Sequence, residues 1–253
     1  MPAPINHLKA ALVAGQPQYG IWLNLASATS AEVLAGAGFD WLLIDGEHGP
    51  NLIPQMLAQA QAIGSRTQVV VRPPVGEAWM IKQILDLGVQ TILVPMVESA
   101  AHAEQMVKAM RYPPEGIRGM GSAVARSGDF GRNRDYAATA NAQVCLVLQV
   151  ESRAGLAALP AILQLAGVDG VFIGPADLAA DMGFGGDASA PEVQAAIDMA
   201  LRAIVASGKA AGILTFDAAT AKRYAAMGVQ FLGIGGDVGL LVTAASKLLA
   251  DVR

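Results

Sequence analysis

Gly38-Phe39-Asp40-Trp41-Leu42-Leu43-Ile44 is the stretch on which the reading of this 253-residue chain turns. A glycine, an apolar residue, a polar one and then a mostly apolar run recur three more times. They do so from Gly88 to Val94, from Gly167 to Ile173 and from Gly228 to Ile234. In physical terms a helix stops at a glycine that tolerates a left-handed backbone, and a buried strand follows. The intervals of 50, 79 and 61 residues leave room between successive copies for a helix, another strand and a second helix.

Those intervening strands are visible as apolar or β-branched runs with polar borders: Tyr19–Leu23, Gln68–Arg72, Val144–Val150 and Ala211–Thr215. Near-continuous apolar runs suit strands covered on both faces, as in parallel sheets. Amphipathic helices fill the gaps, with Met80, Ile81, Ile84 and Leu85 at helical spacing before Gly88, and Pro191-Glu192 opening another. Four plus four strands alternating with helices predict a (β/α)8 TIM barrel, a fold of typically ~250 residues. No linker interrupts the chain, so residues 1–253 are expected to form one domain. The long irregular stretch from Tyr112 to Asn141 carries a Gly- and Arg-containing run, Gly116–Ala123, and loops of that length in compact domains are usually functional or disordered.

Composition narrows the function classes. With 53% hydrophobic residues and a net charge of −4, the chain is neither disordered nor a basic nucleic-acid binder. The lone Cys145 excludes a disulfide scaffold and fits a reducing, cytoplasmic setting. No apolar run approaches the ~18 residues of a membrane span. Near the start, Ile5, Leu8 and Leu12 read as one face of a short helix rather than a signal peptide. Charged residues make up only 15%, against about 25% in soluble proteins. Either an oligomer covers much of the surface, or that surface is rich in Ala and Gly.

In barrels of this kind the chemistry sits where strands finish. The strand ends here carry Trp22 and Asn24; Asp45-Gly46-Glu47-His48; Arg72-Pro73-Pro74; Met96 and Glu98; Gln149 and Glu151; Gly174-Pro175-Ala176-Asp177; Thr215-Phe216-Asp217; and Gly235-Gly236-Asp237. Glu151 and Asp177, on neighbouring strands, can share a hard divalent cation and leave positions for water and a chelating substrate. Alternatively Glu151 pairs with Arg153 or Arg72, and Asp177 caps a helix. His48 beside Asp45 is a candidate general base, unless Asp45 only caps the turn around Gly46 and Gly49. Arg72 suits a carboxylate or an enolate oxygen, or else an ion pair with Glu47. Gly233-Ile234-Gly235-Gly236 fits a phosphate loop less well than a tight turn. None of the six lysines (Lys9, Lys82, Lys108, Lys209, Lys222, Lys247) falls at a strand's C-terminal end. A Schiff-base mechanism is therefore not expected, and no nucleotide cofactor is indicated.

Trp41–His48, Val71-Arg72-Pro73, Leu93–Val97, Arg111–Gly119 and Val171–Leu178 together resemble the metal-dependent (class II) pyruvate aldolases of the 4-hydroxy-2-oxoheptanedioate aldolase type, over essentially the whole chain. The resemblance implies a lyase that reversibly cleaves 4-hydroxy-2-oxo acids to pyruvate and an aldehyde. It implies Glu151 and Asp177 as ligands of Mg²⁺, Mn²⁺ or Co²⁺, Arg72 as the enolate-stabilising group, and His48 paired with Asp45 as the base. Gln149 and Glu47 match groups around the metal and its water, while Ser122, Ala123, Gly174 and Pro175 match the path of the substrate carboxylate. The less distinctive Trp22, Leu214 and the Phe216-Asp217 turn are expected to tune aldehyde size. The resemblance further implies a homohexamer, a trimer of dimers exchanging their last helix, with Asp86 supplied to a neighbour's site. An oxaloacetate decarboxylase or carboligase using the same enolate, and a non-catalytic barrel, are the competing classes.

Overall fold

The computed structural model describes residues 1–253. Eight strands close into a parallel barrel in sequence order: Gln18–Leu23 (β1), Trp41–Asp45 (β2), Gln68–Arg72 (β3), Thr91–Val94 (β4), Cys145–Val150 (β5), Gly170–Ile173 (β6), Ala210–Leu214 (β7) and Phe231–Gly236 (β8). The helices are His7–Val13 (α1), Ala28–Ala35 (α2), Ile53–Ile63 (α3), Ala78–Asp86 (α4), Ala100–Met110 (α5), Tyr136–Ala140 (α6), Arg153–Leu163 (α7), Pro175–Asp181 (α8), Pro191–Ala206 (α9), Ala218–Ala226 (α10) and Asp237–Asp251 (α11). The expected TIM barrel is what forms. All four glycines of the repeat adopt the left-handed backbone the pattern demands, with φ of 90° at Gly38, 89° at Gly88, 93° at Gly167 and 90° at Gly228.

Strand periodicity then sorts side chains into two cores. Leu42 and Ile44 face the helices, while Trp41 and Leu43 face the barrel interior with Val70, Leu93, Val147, Phe172 and Phe231. Trp41 stacks on Phe231 at 4.2 Å between ring centroids and meets Trp22 edge-on at 5.4 Å. Two glycines make this packing possible. A Cβ on Gly20 would occupy the Trp41 ring, and one on Gly233 would occupy the Trp22 ring. Gly233 to Gly236 therefore lie inside β8 rather than in the tight turn or phosphate loop considered from sequence, and the small size of Gly233 serves the aromatic layer.

The N-terminal helix closes the bottom of the barrel. Leu8 and Leu12 join the interior cluster, Asn6 caps α1 by accepting from the Lys9 amide, and Lys9 Nζ donates to the Val144 carbonyl at 2.7 Å. Ile5 departs from the expected face: it precedes the cap and is 63% exposed. The stretch Tyr112–Asn141 also departs from the reading as an extended loop. It contains a 3-10 turn, Arg126–Gly131, and α6. Its Arg118 guanidinium lies 4.3 Å from the Tyr112 ring and 5.8 Å from that of Tyr136, and donates to Asp86 Oδ1 at 2.9 Å. Since α4 descends from the top of the barrel to its base, this cluster braces the end opposite the strands' C-termini. No helix is long and apolar enough to cross a membrane.

The aromatic layer yields a direct test. Gly20→Ala drives a methyl into Trp41 and is expected to destabilise the barrel by about 1–3 kcal/mol, the usual cost of overpacking. Gly239→Ala, in α11 with open space around it, should instead be neutral or stabilise by up to about 1 kcal/mol through helix propensity. Chemical denaturation of both variants checks this. Equal midpoints would contradict the packing role of Gly20.

Candidate active site

Above the aromatic layer the same inward-facing register turns polar. Trp22 is followed by Asn24, Leu43 by Asp45, Val70 by Arg72, and Val147 by Gln149 and then Glu151. Of these, Trp22, Asn24, Asp45, Arg72 and Gln149 line a cleft of about 340 Å³ at the strands' C-terminal ends. A cavity of about 360 Å³ opens at the opposite end, lined by Asn6, Gln90, Thr91 and Arg126 among others. Size does not separate the two, but chemistry does. Arg126 Nη1 donates to the Leu87 carbonyl, and no cluster of carboxylates lines the lower cavity.

Arg72 is the hub of the upper cleft. Its Nε donates to Asp45 Oδ1 at 2.8 Å and its Nη2 to Asp45 Oδ2 at 2.7 Å, a side-on bidentate pair. Nη1 lies 2.8 Å from Glu47 Oε2 and reaches Gln149 Oε1 at 3.4 Å. The Glu47 contact is a charge contact without hydrogen-bond alignment, since Oε2 has no hydrogen-bond partner. Burial alone would raise the Asp45 carboxyl, but the Arg72 hydrogen bonds and charge, with the Glu47 and His48 amides, hold it below the usual range. Burial works against the Arg72 charge as well, and its carboxylate partners more than compensate.

The expected Asp45–His48 side-chain pair is not formed. Asp45 Oδ1 accepts from the backbone N–H groups of Glu47 (3.1 Å) and His48 (3.4 Å), and Oδ2 accepts from Asn24 Nδ2 (2.8 Å). With Arg72 added, the oxygens of Asp45 have no lone pair left for the imidazole. The nearest carboxylate to the His48 ring is Glu47, 3.8 Å from Nε2, and the His48 side chain is 61% exposed. Of the other histidines, His7 is exposed as expected. His102 is not simply solvated: it is half-buried, with Nε2 3.0 Å from the Gly76 carbonyl oxygen.

Glu151 stands on the far side of Arg72. It is 2% exposed, yet no cation pairs with it directly. Oε1 accepts from the Met96 amide at 2.8 Å, which the left-handed backbone of Met96 (φ 53°) presents, and Oε2 accepts from Gln149 Nε2. Burial pushes the Glu151 carboxyl up, and the charge of Asp177 adds to the push. A side chain on Gly174 would strike Glu151. Glycine there lets the end of β6 pass close by, and Pro175 then starts α8 with Asp177 in its first turn. Neither alternative pairing is present. Asp177 makes no capping hydrogen bond, and Arg153 pairs with Asp181 at 3.0 Å. A buried carboxylate lacking a cation, next to a second carboxylate, fits a hard divalent ion with oxygen ligands. No group of three or more His, Cys, Asp or Glu side chains gathers here, so Glu151 and Asp177 would supply two positions of the ion and leave the others to further oxygen ligands.

The structure thus gathers Trp22, Asp45, His48, Arg72 and Gln149 with Gly174, Pro175, Asp177 and Leu214 around one cleft, with Glu47 and Glu151 against Arg72. It does not bring Asp86, Ser122 or Ala123 there. Asp86 ends α4 at the base of the barrel, bonded to Arg118. Ser122 and Ala123 pack nearby, against Gly128 and Gly131. None of the three lines the protein's own cleft. Asn24, Met96 and Asp237 were not assigned roles from sequence. For Asn24 the inward register of Gly20 and Trp22 was the available signal.

A family model for the HpcH/HpaI aldolase/citrate lyase family matches residues 18–244. The chain belongs to this family. It is 56% identical to a hydroxypyruvate/pyruvate aldolase of Agrobacterium fabrum, over 94% of this chain and 90% of that one. It is 55% identical to a 4-hydroxy-2-oxo-heptane-1,7-dioate aldolase of Escherichia coli, over 97% and 94%. A crystal structure of an HpcH/HpaI aldolase/citrate lyase family protein from Burkholderia cenocepacia superposes with a TM-score of 0.94 at 40% identity, covering 98% and 99% of the two chains. The family expected from the motifs is the family found, and with it a carbon–carbon lyase of the aldolase type.

The Asp45–Arg72 pair sets a pH signature. A carboxyl held below its ordinary value stabilises the fold fully above the unfolded-state pKa of about 3.9. That contribution disappears as pH falls through the lower folded value. Asp45→Asn should cost about 3–5 kcal/mol at pH 7 by leaving a buried guanidinium short of its partner, with the gap to wild type closing below about pH 3.9. Denaturant unfolding across pH measures this. A gap of equal size at pH 3 and pH 7 would contradict the pair's ionic character.

Proposed function

We propose that the protein is a divalent-metal-dependent pyruvate aldolase that cleaves 4-hydroxy-2-oxo acids to pyruvate and an aldehyde, and runs the reverse condensation. Its family membership and the names of its relatives support aldol chemistry. The observation that carries the reading is the juxtaposition of a buried, cation-lacking Glu151 and Asp177 with a guanidinium clamped by Asp45. Glu151 and Asp177 are the residues that would hold the ion, with Mg²⁺, Mn²⁺ and Co²⁺ as candidates. A bound ion of this kind supplies positive charge where the enolate oxygen of pyruvate develops its negative charge.

The chain's own residues do the rest. His48, open to the cleft, takes the proton of the substrate's C4 hydroxyl. The C3–C4 electron pair moves toward C2 as the aldehyde carbonyl forms, and the C2 oxygen gains the charge. Arg72 meets that charge. Held along its Nε–Nη2 edge by Asp45, it needs little reorganisation as the charge appears, which is what makes such preorganised groups effective. The enolate then takes a proton at C3 to give pyruvate. Asp45 acts through Arg72 and through the backbone of His48, rather than through the imidazole. Gln149 links Arg72 to Glu151, Gly174 and Pro175 lie where the substrate carboxylate would rest, and Trp22 and Leu214 border the aldehyde.

Assembly completes this reading. Beyond Asp237, α11 leaves Leu240, Leu241, Val242, Leu248 and Leu249 exposed, a face suited to exchange between copies in a homohexamer built as a trimer of dimers. Asp86, Ser122 and Ala123 then belong to a neighbour's cleft rather than their own. The setting we assign is cytoplasmic, in keeping with the lone, buried Cys145.

Pyruvate release from a panel of 4-hydroxy-2-oxo acids, with each divalent cation in turn, tests the function. Turnover should vanish on chelation and return with metal, and Glu151→Gln should raise the cation concentration needed for half-maximal activity by at least about tenfold. Full activity after exhaustive chelation would defeat the metal assignment. Failure to release pyruvate from any member of the panel would defeat the aldolase.

A further inference from the structure

Asn24 follows β1 directly, continues the inward-facing series of Gly20 and Trp22, and stands half-buried on the cleft wall. Its place is fixed twice. Asp237, itself buried, accepts from the Asn24 amide at 2.9 Å and from the Leu25 amide at 3.1 Å. The side chain donates through Nδ2 to Asp45 Oδ2 at 2.8 Å. An ionised carboxylate only accepts, so the carboxamide has one permitted orientation, with Nδ2 toward Asp45 and Oδ1 away from it. No donor in the chain reaches Oδ1, and it is not among the sealed polar atoms that lack a partner. It is therefore an acceptor open to the cleft. Gly236 is its neighbour on β8, where a Cβ would lie 3.7 Å from Oδ1, an ordinary contact.

The position of this acceptor tells which part of a substrate meets it. In the closed ring β1 lies diametrically across from β5, which carries Glu151. On the aldolase reading the C4 end lies at His48, which follows β2, the strand paired with β1, and the wall there is otherwise the apolar Trp22, Leu214 and Phe216. We infer that Asn24 Oδ1 accepts a hydrogen bond from a hydroxyl next to the aldehyde carbonyl. Asn24 thereby makes the site selective for 2-hydroxyaldehydes over their deoxy counterparts. This rests on the aldolase reading and names the aldehyde class for it.

The test compares glycolaldehyde with acetaldehyde as acceptors for pyruvate, in the metal-loaded full-length enzyme, by kcat/KM for condensation. Wild type should favour glycolaldehyde. Asn24→Ala should lower the glycolaldehyde-to-acetaldehyde ratio by about five- to tenfold, as expected for one lost hydrogen bond. Any slackening of Asp45 and Arg72 in that variant affects both aldehydes alike and cancels in the ratio. Asn24→Ser, which keeps a small polar side chain at the position but withdraws the carboxamide Oδ1 from the cleft, should shift the ratio the same way and decides the matter if Asn24→Ala does not fold. A wild type indifferent to the hydroxyl, or a ratio unchanged within about twofold in the folded variants, overturns the inference. Condensation of neither aldehyde by wild type would instead defeat the aldolase reading on which it rests.

Discussion

A guanidinium nearly sealed from water has to be neutralised where it stands, and Arg72 is neutralised by Asp45 in a planar bidentate pair. Most of the cleft follows from that constraint. Asp45 is drawn below its usual pKa and remains an acceptor, so it orients the Asn24 carboxamide and the amides of Glu47 and His48. Because Asp45 is already occupied, it leaves Glu47 as the carboxylate next to the His48 ring. On the other flank Arg72 reaches Gln149, and Gln149 reaches Glu151. Carboxylates outnumber the single guanidinium here, and burial raises two of them, Glu47 and Glu151. A site with that imbalance is suited to a cation, and a clamped arginine beside it is suited to an oxygen that acquires charge during reaction.

Much of this was legible in the sequence because it depends on local rules. The left-handed glycines at 38, 88, 167 and 228 mark the helix ends whatever the tertiary context, and eight apolar runs at barrel spacing leave few topologies. The inward register of each strand also carries the site. Counting by twos from Trp22, Leu43, Val70 and Val147 reaches Asn24, Asp45, Arg72, Gln149 and Glu151. What was not legible depends on which partner wins when several are available. Asp45 could have held the imidazole of His48, but the buried Arg72 makes the larger electrostatic demand. Gly233 looked like a turn residue, but inside β8 it admits the Trp22 ring. The segment from Tyr112 to Asn141 looked like a substrate loop, but within one chain it braces the base of the barrel around Arg118.

The low charge content has a structural counterpart. The α11 helix keeps only Asp237 buried and turns a series of leucines and valines outward. Asp237 also fixes the backbone of Asn24. The root of this exposed helix is thus hydrogen-bonded to the residue that orders Asp45, which ties α11 to the cleft through one connected set of contacts.

The role proposed for Arg72, held by Asp45 beside Glu151 and Asp177, is to stabilise the enolate of pyruvate. The most direct measurement is exchange of the pyruvate methyl protons for deuterium, followed by NMR with divalent metal present and no aldehyde. That isolates enolate formation from C–C cleavage and aldehyde binding. Wild type should exchange these protons well above the rate of metal in buffer alone, and Arg72→Ala should lose nearly all of that enhancement while still binding the metal. Exchange at the wild-type rate in a folded, metal-bound Arg72→Ala variant would contradict the account.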